Sequence, residues 1–206
     1  MSQPTRQLSD LTFEDIRSGV CSTVSSIRQR IPKRICSHFN EIPLTLAQVR
    51  KYCDWNWEIE LWERPLPDGM KGLTICEQGV FIVVYNAKEK DPRVRLKIIL
   101  HELGHYLLHR RFLESGICAW AGNEWFSDQS EKEANLFALM SMVPDKQVKA
   151  ICTEHEVLED RIQHLRDTYA FTREEGVVRI AAYDGHMRNN SYEEMFEQFL
   201  DGYTMP

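Results

Sequence analysis

The stretch His101-Glu102-Leu103-Gly104-His105 constrains this chain more than any other, because its pattern has a clear geometric meaning only in a helix. Residues four apart on an α-helix differ by about 40° in direction and about 6 Å in rise, so the two imidazoles point the same way. Glu102 is turned by about 100° from His101 and lies beside that pair. Two such imidazoles suit a single zinc ion, and the neighbouring carboxylate can take a proton from water at the ion. The motif therefore predicts a helix with a metal site and Glu102 as general base.

The residues around the motif predict a long, mostly buried helix that follows a small sheet. Asp91 is a good N-cap, Pro92 suits the first helical position, and apolar periodicity continues to about Phe112. Alternating or β-branched stretches predict three earlier strands, at residues 57–61, 71–76 and 80–85. Turn sequences separate these stretches, so we expect a small antiparallel sheet packed on the helix.

Helical periodicity dominates the rest of the chain. Further helices are predicted at residues 13–30, after Thr45, from Ser130 to Val143, and at 156–169, 173–183 and 192–202. A chain of 206 residues with 43% hydrophobic content suits one core with helical additions. We expect an α+β fold with an N-terminal helical segment, a catalytic core and a C-terminal helical segment at residues 1–54, 55–150 and 151–206.

Composition narrows the partners and the compartment. A net charge of -6 argues against a protein that mainly grips a phosphate backbone. No apolar run approaches the length of a membrane span, and no signal peptide precedes the first helix, so we expect no membrane partner. The six cysteines form no C-x-x-C pair and are expected to be reduced thiols in a cytoplasmic protein.

The third metal ligand is not fixed by the motif. A catalytic zinc site needs three protein ligands and an open position for water, and no later histidine has the spacing of a three-histidine site. Acidic candidates downstream are Glu114, Glu124, Asp128, Glu131 and Glu133. A Glu in the first turn of the helix that opens at Ser130 can face the metal helix, but Glu133 can instead form a capping box with Ser130. His109 lies one turn beyond His105, too far for the same ion, and is expected at the surface or in the cleft wall.

The motif and two later blocks together resemble the ImmA/IrrE family of metallopeptidases. The stretch HELGHYLLH at residues 101–109 is followed by EKEANLFA at 131–138 and by Met-Val-Pro at 142–144. The resemblance covers about residues 72–144, and it implies a zincin-like core with a gluzincin-like HExxH site. It also implies that His101, His105 and Glu133 hold the metal and that Glu102 is the base. Asn135 is then expected to support the ligands or the helix without binding the ion.

The resemblance implies a function as well. Members of this family are expected to be zinc-dependent endopeptidases, with Mn²⁺ or another divalent ion as a possible substitute. The implied substrate is a helix-turn-helix transcriptional repressor, whose cleavage relieves repression in stress or mobile-element regulation, with no direct contact to nucleic acid. The alternative is a metal-binding antirepressor or toxin-antitoxin component that acts by protein binding without hydrolysis. The intact Glu102 favours catalysis, because a purely structural metal site has no use for a base.

Overall fold

The computed structural model describes residues 44–117, 119 and 128–185, together with Ile27 and Arg30, both helical. The elements are α1 (Leu46–Trp55), β1 (Ile59–Arg64), β2 (Gly72–Glu77), β3 (Val80–Asn86), α2 (Pro92–Glu114), α3 (Asp128–Met142), α4 (Asp145–Glu154), α5 (Leu158–Tyr169) and α6 (173–185). Most of the predicted helix at 13–30, and the whole of the one at 192–202, lie outside the described residues.

The three strands form one mixed sheet with the order β1-β3-β2. The α+β class is confirmed, but the prediction of a wholly antiparallel sheet is wrong, because β1 runs parallel to β3 and only β2 is antiparallel to it. Residues 81–85 of β3 are all buried, so this strand takes the centre, and residues 65–71 carry the chain from one edge to the other. The tight turn between β2 and β3 has positive φ at Gln78 and Gly79, as a two-residue hairpin requires.

Helix α2 packs between the sheet and α3. Asp91 accepts a hydrogen bond from the backbone N–H of Arg93 (2.8 Å), and Pro92 follows the cap as predicted. The approach to α3 is close at Gly104, where an added Cβ would lie 3.1 Å from Ala134 Cα. This small-residue contact brings the first turns of α3 against the HExxH face of α2.

The C-terminal helices include one that the sequence analysis missed. Helix α4 begins directly after Pro144, and the predicted domain boundary at residue 150 falls inside it. Arg179 of α6 is buried and stabilises the junction between α3 and α4. Its Nε donates to the carbonyl of Val143 (2.7 Å), and a terminal nitrogen donates to Asp145 (2.6 Å). The domain boundaries themselves remain a prediction.

The described residues bear on two expectations from the sequence, the absence of a membrane span and the presence of reduced cysteines. None of the described helices is both long enough and apolar enough to cross a membrane. Cys53, Cys76 and Cys152 are free thiols, in agreement with the expected reduced state of these three.

Candidate metal centre

Two histidines of α2 and one carboxylate of α3 converge on a single point. The Nε2 atoms of His101 and His105 lie 3.0 Å apart. Glu131 Oε2 lies 3.3 Å from His101 Nε2, and Glu131 Oε1 lies 3.4 Å from His105 Nε2. Atoms bound tetrahedrally at 2.0–2.1 Å from a zinc ion are about 3.3 Å from one another. The three side chains therefore have the separation that one shared ion requires.

The hydrogen bond between His101 and Asn135 orients the His101 ring with Nε2 toward the other two side chains. Asn135 Oδ1 lies 2.9 Å from His101 Nδ1, and an amide oxygen only accepts hydrogen bonds. The ring therefore donates from Nδ1, and Nε2 is the nitrogen that faces the metal group, the orientation that metal-binding histidines commonly have. Asn135, expected to support the ligands or the helix, thus lies in hydrogen-bond contact with His101.

Glu131 gives the clearest indication that this group suits a cation. Its Oε1 atom is buried and has no hydrogen-bond partner among the described residues. A buried acceptor without a donor costs free energy, and this one lies 3.4 Å from Nε2 of the neutral His105. A positive ion bound among these acceptors would satisfy them, so the residues fit a divalent metal.

The structure does not bring Glu133 to the histidine pair. Residues two apart on a helix point about 200° away from each other, so Glu131 and Glu133 lie on opposite sides of α3. Glu133 instead contacts His109 Nε2 (2.9 Å) and Arg30 (2.6 Å). The missed signal was the spacing of Glu131 and Asn135, because residues four apart share one helix face.

The expectation of a surface position for His109 is wrong, because its side chain is buried, with 4% of its surface exposed. The ring lies between His105 and Glu133, where α2 departs from helical geometry.

Glu102 lies beside the metal group in a closely fitted pocket. The hydroxyl of Thr74 on β2 donates to Glu102 Oε2 (2.7 Å), and both side chains are buried. The backbone of Gly72 completes the pocket, since an added Cβ there would lie 2.7 Å from Glu102 Oε1. Burial raises the pKa of Glu102 to about 7, although the positive charge of His101 and the Thr74 hydrogen bond act in the opposite direction. No motif in the sequence pointed to Thr74 or Gly72 as partners of Glu102.

His105 is kept neutral by its surroundings. Burial, together with the neighbouring His101 and His109, holds the pKa of His105 well below its usual range. A neutral imidazole is the form that binds a metal. The site is thus built from a neutral histidine, a histidine oriented by an amide, and a carboxylate with one oxygen that no described residue hydrogen-bonds.

Comparison with known proteins agrees with this geometry. The model of the IrrE N-terminal-like domain family, Peptidase_M78, matches residues 59–181, a span that includes both histidines, Glu102 and Glu131. A search of curated protein sequences finds no significant match. The matched span covers more than half of the chain and contains the whole candidate site. The chain therefore belongs to the Peptidase_M78 family of IrrE N-terminal-like domains, and it is a metallopeptidase of the ImmA/IrrE type.

Proposed function

We propose that this chain is a zinc-dependent endopeptidase in which His101, His105 and Glu131 hold the metal and Glu102 is the general base. Two imidazoles and one carboxylate are a donor set of catalytic zinc sites, which keep one position open. The observation that carries the proposal is the convergence of His101, His105 and Glu131, where the buried Glu131 Oε1 has no hydrogen-bond donor among the described residues.

The chain's own residues supply the base and its orientation. When bound, the ion would lower the pKa of a water molecule and polarise the carbonyl of the scissile peptide bond. Thr74 fixes one oxygen of Glu102 through a 2.7 Å hydrogen bond and so sets the direction of the other. Glu102 then accepts the proton of the attacking water and can pass it to the leaving amine. The buried surroundings of Glu102 exclude bulk water from this transfer.

The proposed substrate is a helix-turn-helix transcriptional repressor, as the resemblance to the ImmA/IrrE family implies. The family establishes a metallopeptidase and thereby a protein substrate, and the repressor is the finer part of the proposal. A net charge of -6 favours a protein partner over direct binding to nucleic acid. A repressor substrate would require action in the cytoplasm.

The test compares wild type with Glu102→Gln on a candidate helix-turn-helix repressor, with and without zinc, using mass spectrometry and a promoter reporter. Glutamine is nearly the size of glutamate but cannot accept the proton, so zinc binding should persist while cleavage falls by about 10² to 10⁴. Glu114→Gln is the matched control, because Glu114 lies on the same helix but is 45% exposed and bonded to Arg110. If Glu102→Gln relieves repression as well as wild type does, the non-proteolytic antirepressor function replaces the proposal.

A further inference from the structure

His109 forms a buried link between the metal centre and Glu133. Its Nδ1 lies 3.1 Å from His105 Nδ1, and its Nε2 lies 2.9 Å from Glu133 Oε2. The backbone of His109 leaves helical geometry, with φ -123° and ψ 20°, inside the otherwise continuous helix α2.

The hydrogen bonds along this link fix where each proton lies. Glu133 is a carboxylate, and it receives hydrogen bonds from Arg30 on Oε2 (2.6 Å) and from Gln129 on Oε1 (3.2 Å). Two donors on these oxygens favour the ionised form, which only accepts. A neutral His109 must then donate from Nε2, and its Nδ1 is left as an acceptor.

The same order continues into the metal ligand. Because His109 Nδ1 accepts, the proton between the two rings belongs to His105 Nδ1. His105 Nε2 then has no proton and presents its lone pair toward His101 Nε2 and Glu131. The reverse order would place a hydrogen on His105 Nε2, where the ion has to bind.

We propose that His109 is a positioning residue that fixes the orientation and the tautomer of His105, with Glu133 and Arg30 completing the link. The inference rests on the proposed metal site, and it gives Glu133 a role in metal binding without contact to the ion. Partners of this kind typically change metal affinity by about 10- to 100-fold when they are removed. Arg30 precedes the matched family span at residue 59, so the link also makes metal affinity depend on the N-terminal part of the chain.

The test replaces His109 by Phe, which fills the space but forms no hydrogen bond, and by Gln, which can accept from His105 and donate to Glu133. Zinc affinity is measured by competition with a chromophoric chelator, and Glu114→Gln, at an exposed residue of the same helix, is the matched control. We expect His109→Phe to weaken zinc binding by about 10- to 100-fold. His109→Gln should restore most of the affinity, and the control should match wild type.

A second measurement needs no variant. Nitrogen-detected NMR of the metal-free wild type should show the proton of His105 on Nδ1, and an Nε2–H tautomer would overturn the inference whether or not His109→Phe folds. Wild-type affinity in a folded His109→Phe would overturn it too, since packing alone would then explain the buried ring. These results are distinct from failure of the wild type to bind zinc, which would refute the proposed metal site itself.

Discussion

Replacing Glu131 by Gln tests the ligand assignment without requiring a known substrate. Glu131 supplies both of its oxygens to the metal group, at 3.3 Å from His101 Nε2 and 3.4 Å from His105 Nε2. Structural zinc sites with four ligands bind with about 10–16 kcal/mol, so one ligand is worth about 2.5–4 kcal/mol. Loss of Glu131 should therefore weaken zinc binding by about 70- to 900-fold.

The metal-free protein should respond in the opposite direction. Glu131 Oε1 is buried with no donor among the described residues, so removing its charge relieves an unfavourable contact worth about 1 kcal/mol. We expect Glu131→Gln to leave the unfolding free energy of the metal-free protein unchanged or slightly higher. A residue that only stabilised the start of α3 would instead lose about 1 kcal/mol.

The assay combines chelator competition with thermal unfolding of metal-free protein, and Glu133→Gln is the matched variant on the same helix. Glu133 acts through His109, so its substitution should cost no more than about 10-fold in zinc affinity, the lower end of such indirect effects. Wild-type affinity in Glu131→Gln, with a loss above about 100-fold in Glu133→Gln, would return the ligand role to Glu133 and refute the reasoning.

Three further predictions follow from the same geometry. Gly72→Ala would place a Cβ 2.7 Å from Glu102 Oε1, so the carboxylate must move by about 0.7 Å. We expect zinc binding to stay unchanged and the initial rate of cleavage to fall by nearly 100-fold. Gly104→Ala would crowd Ala134 at 3.1 Å, and denaturant unfolding should show a loss of about 1–3 kcal/mol. Metal analysis should find one tightly bound ion per chain that a chelator removes without loss of helical circular dichroism, and His164→Gln should not alter this stoichiometry.

Local sequence signals predicted most of the elements because each depends on residues close in the chain. The N-cap Thr45 forms a complete capping box with Gln48, and the same is seen at Thr172 and Glu175. The start of α2 at Asp91 follows the same logic. Helix α4 was missed because only Val148 and Ile151 are buried in it, too weak a pattern to stand out in ten residues.

The remaining errors concern contacts between distant parts of the chain. Strand order depends on which strand is covered on both faces, and turn sequences give no information about that. The motif residues His101, Glu102 and His105 were predicted from spacing alone, and the structure brings the two histidines together as helix geometry requires. The same helix geometry, applied to the four-residue spacing of Glu131 and Asn135, would have predicted that Glu131 is the carboxylate near the two histidines.

The contact between Gly104 and Ala134 has a consequence for how metal supply acts on this protein. The two helices that provide the ligands are held together by apolar packing around this contact, so the ligands are already assembled before an ion arrives. Binding then has little conformational entropy left to remove, and loss of the ion need not unfold the chain. A zinc finger unfolds when its metal is removed. This protein would instead stay folded but inactive when metal is scarce, and it would regain activity on binding an ion again.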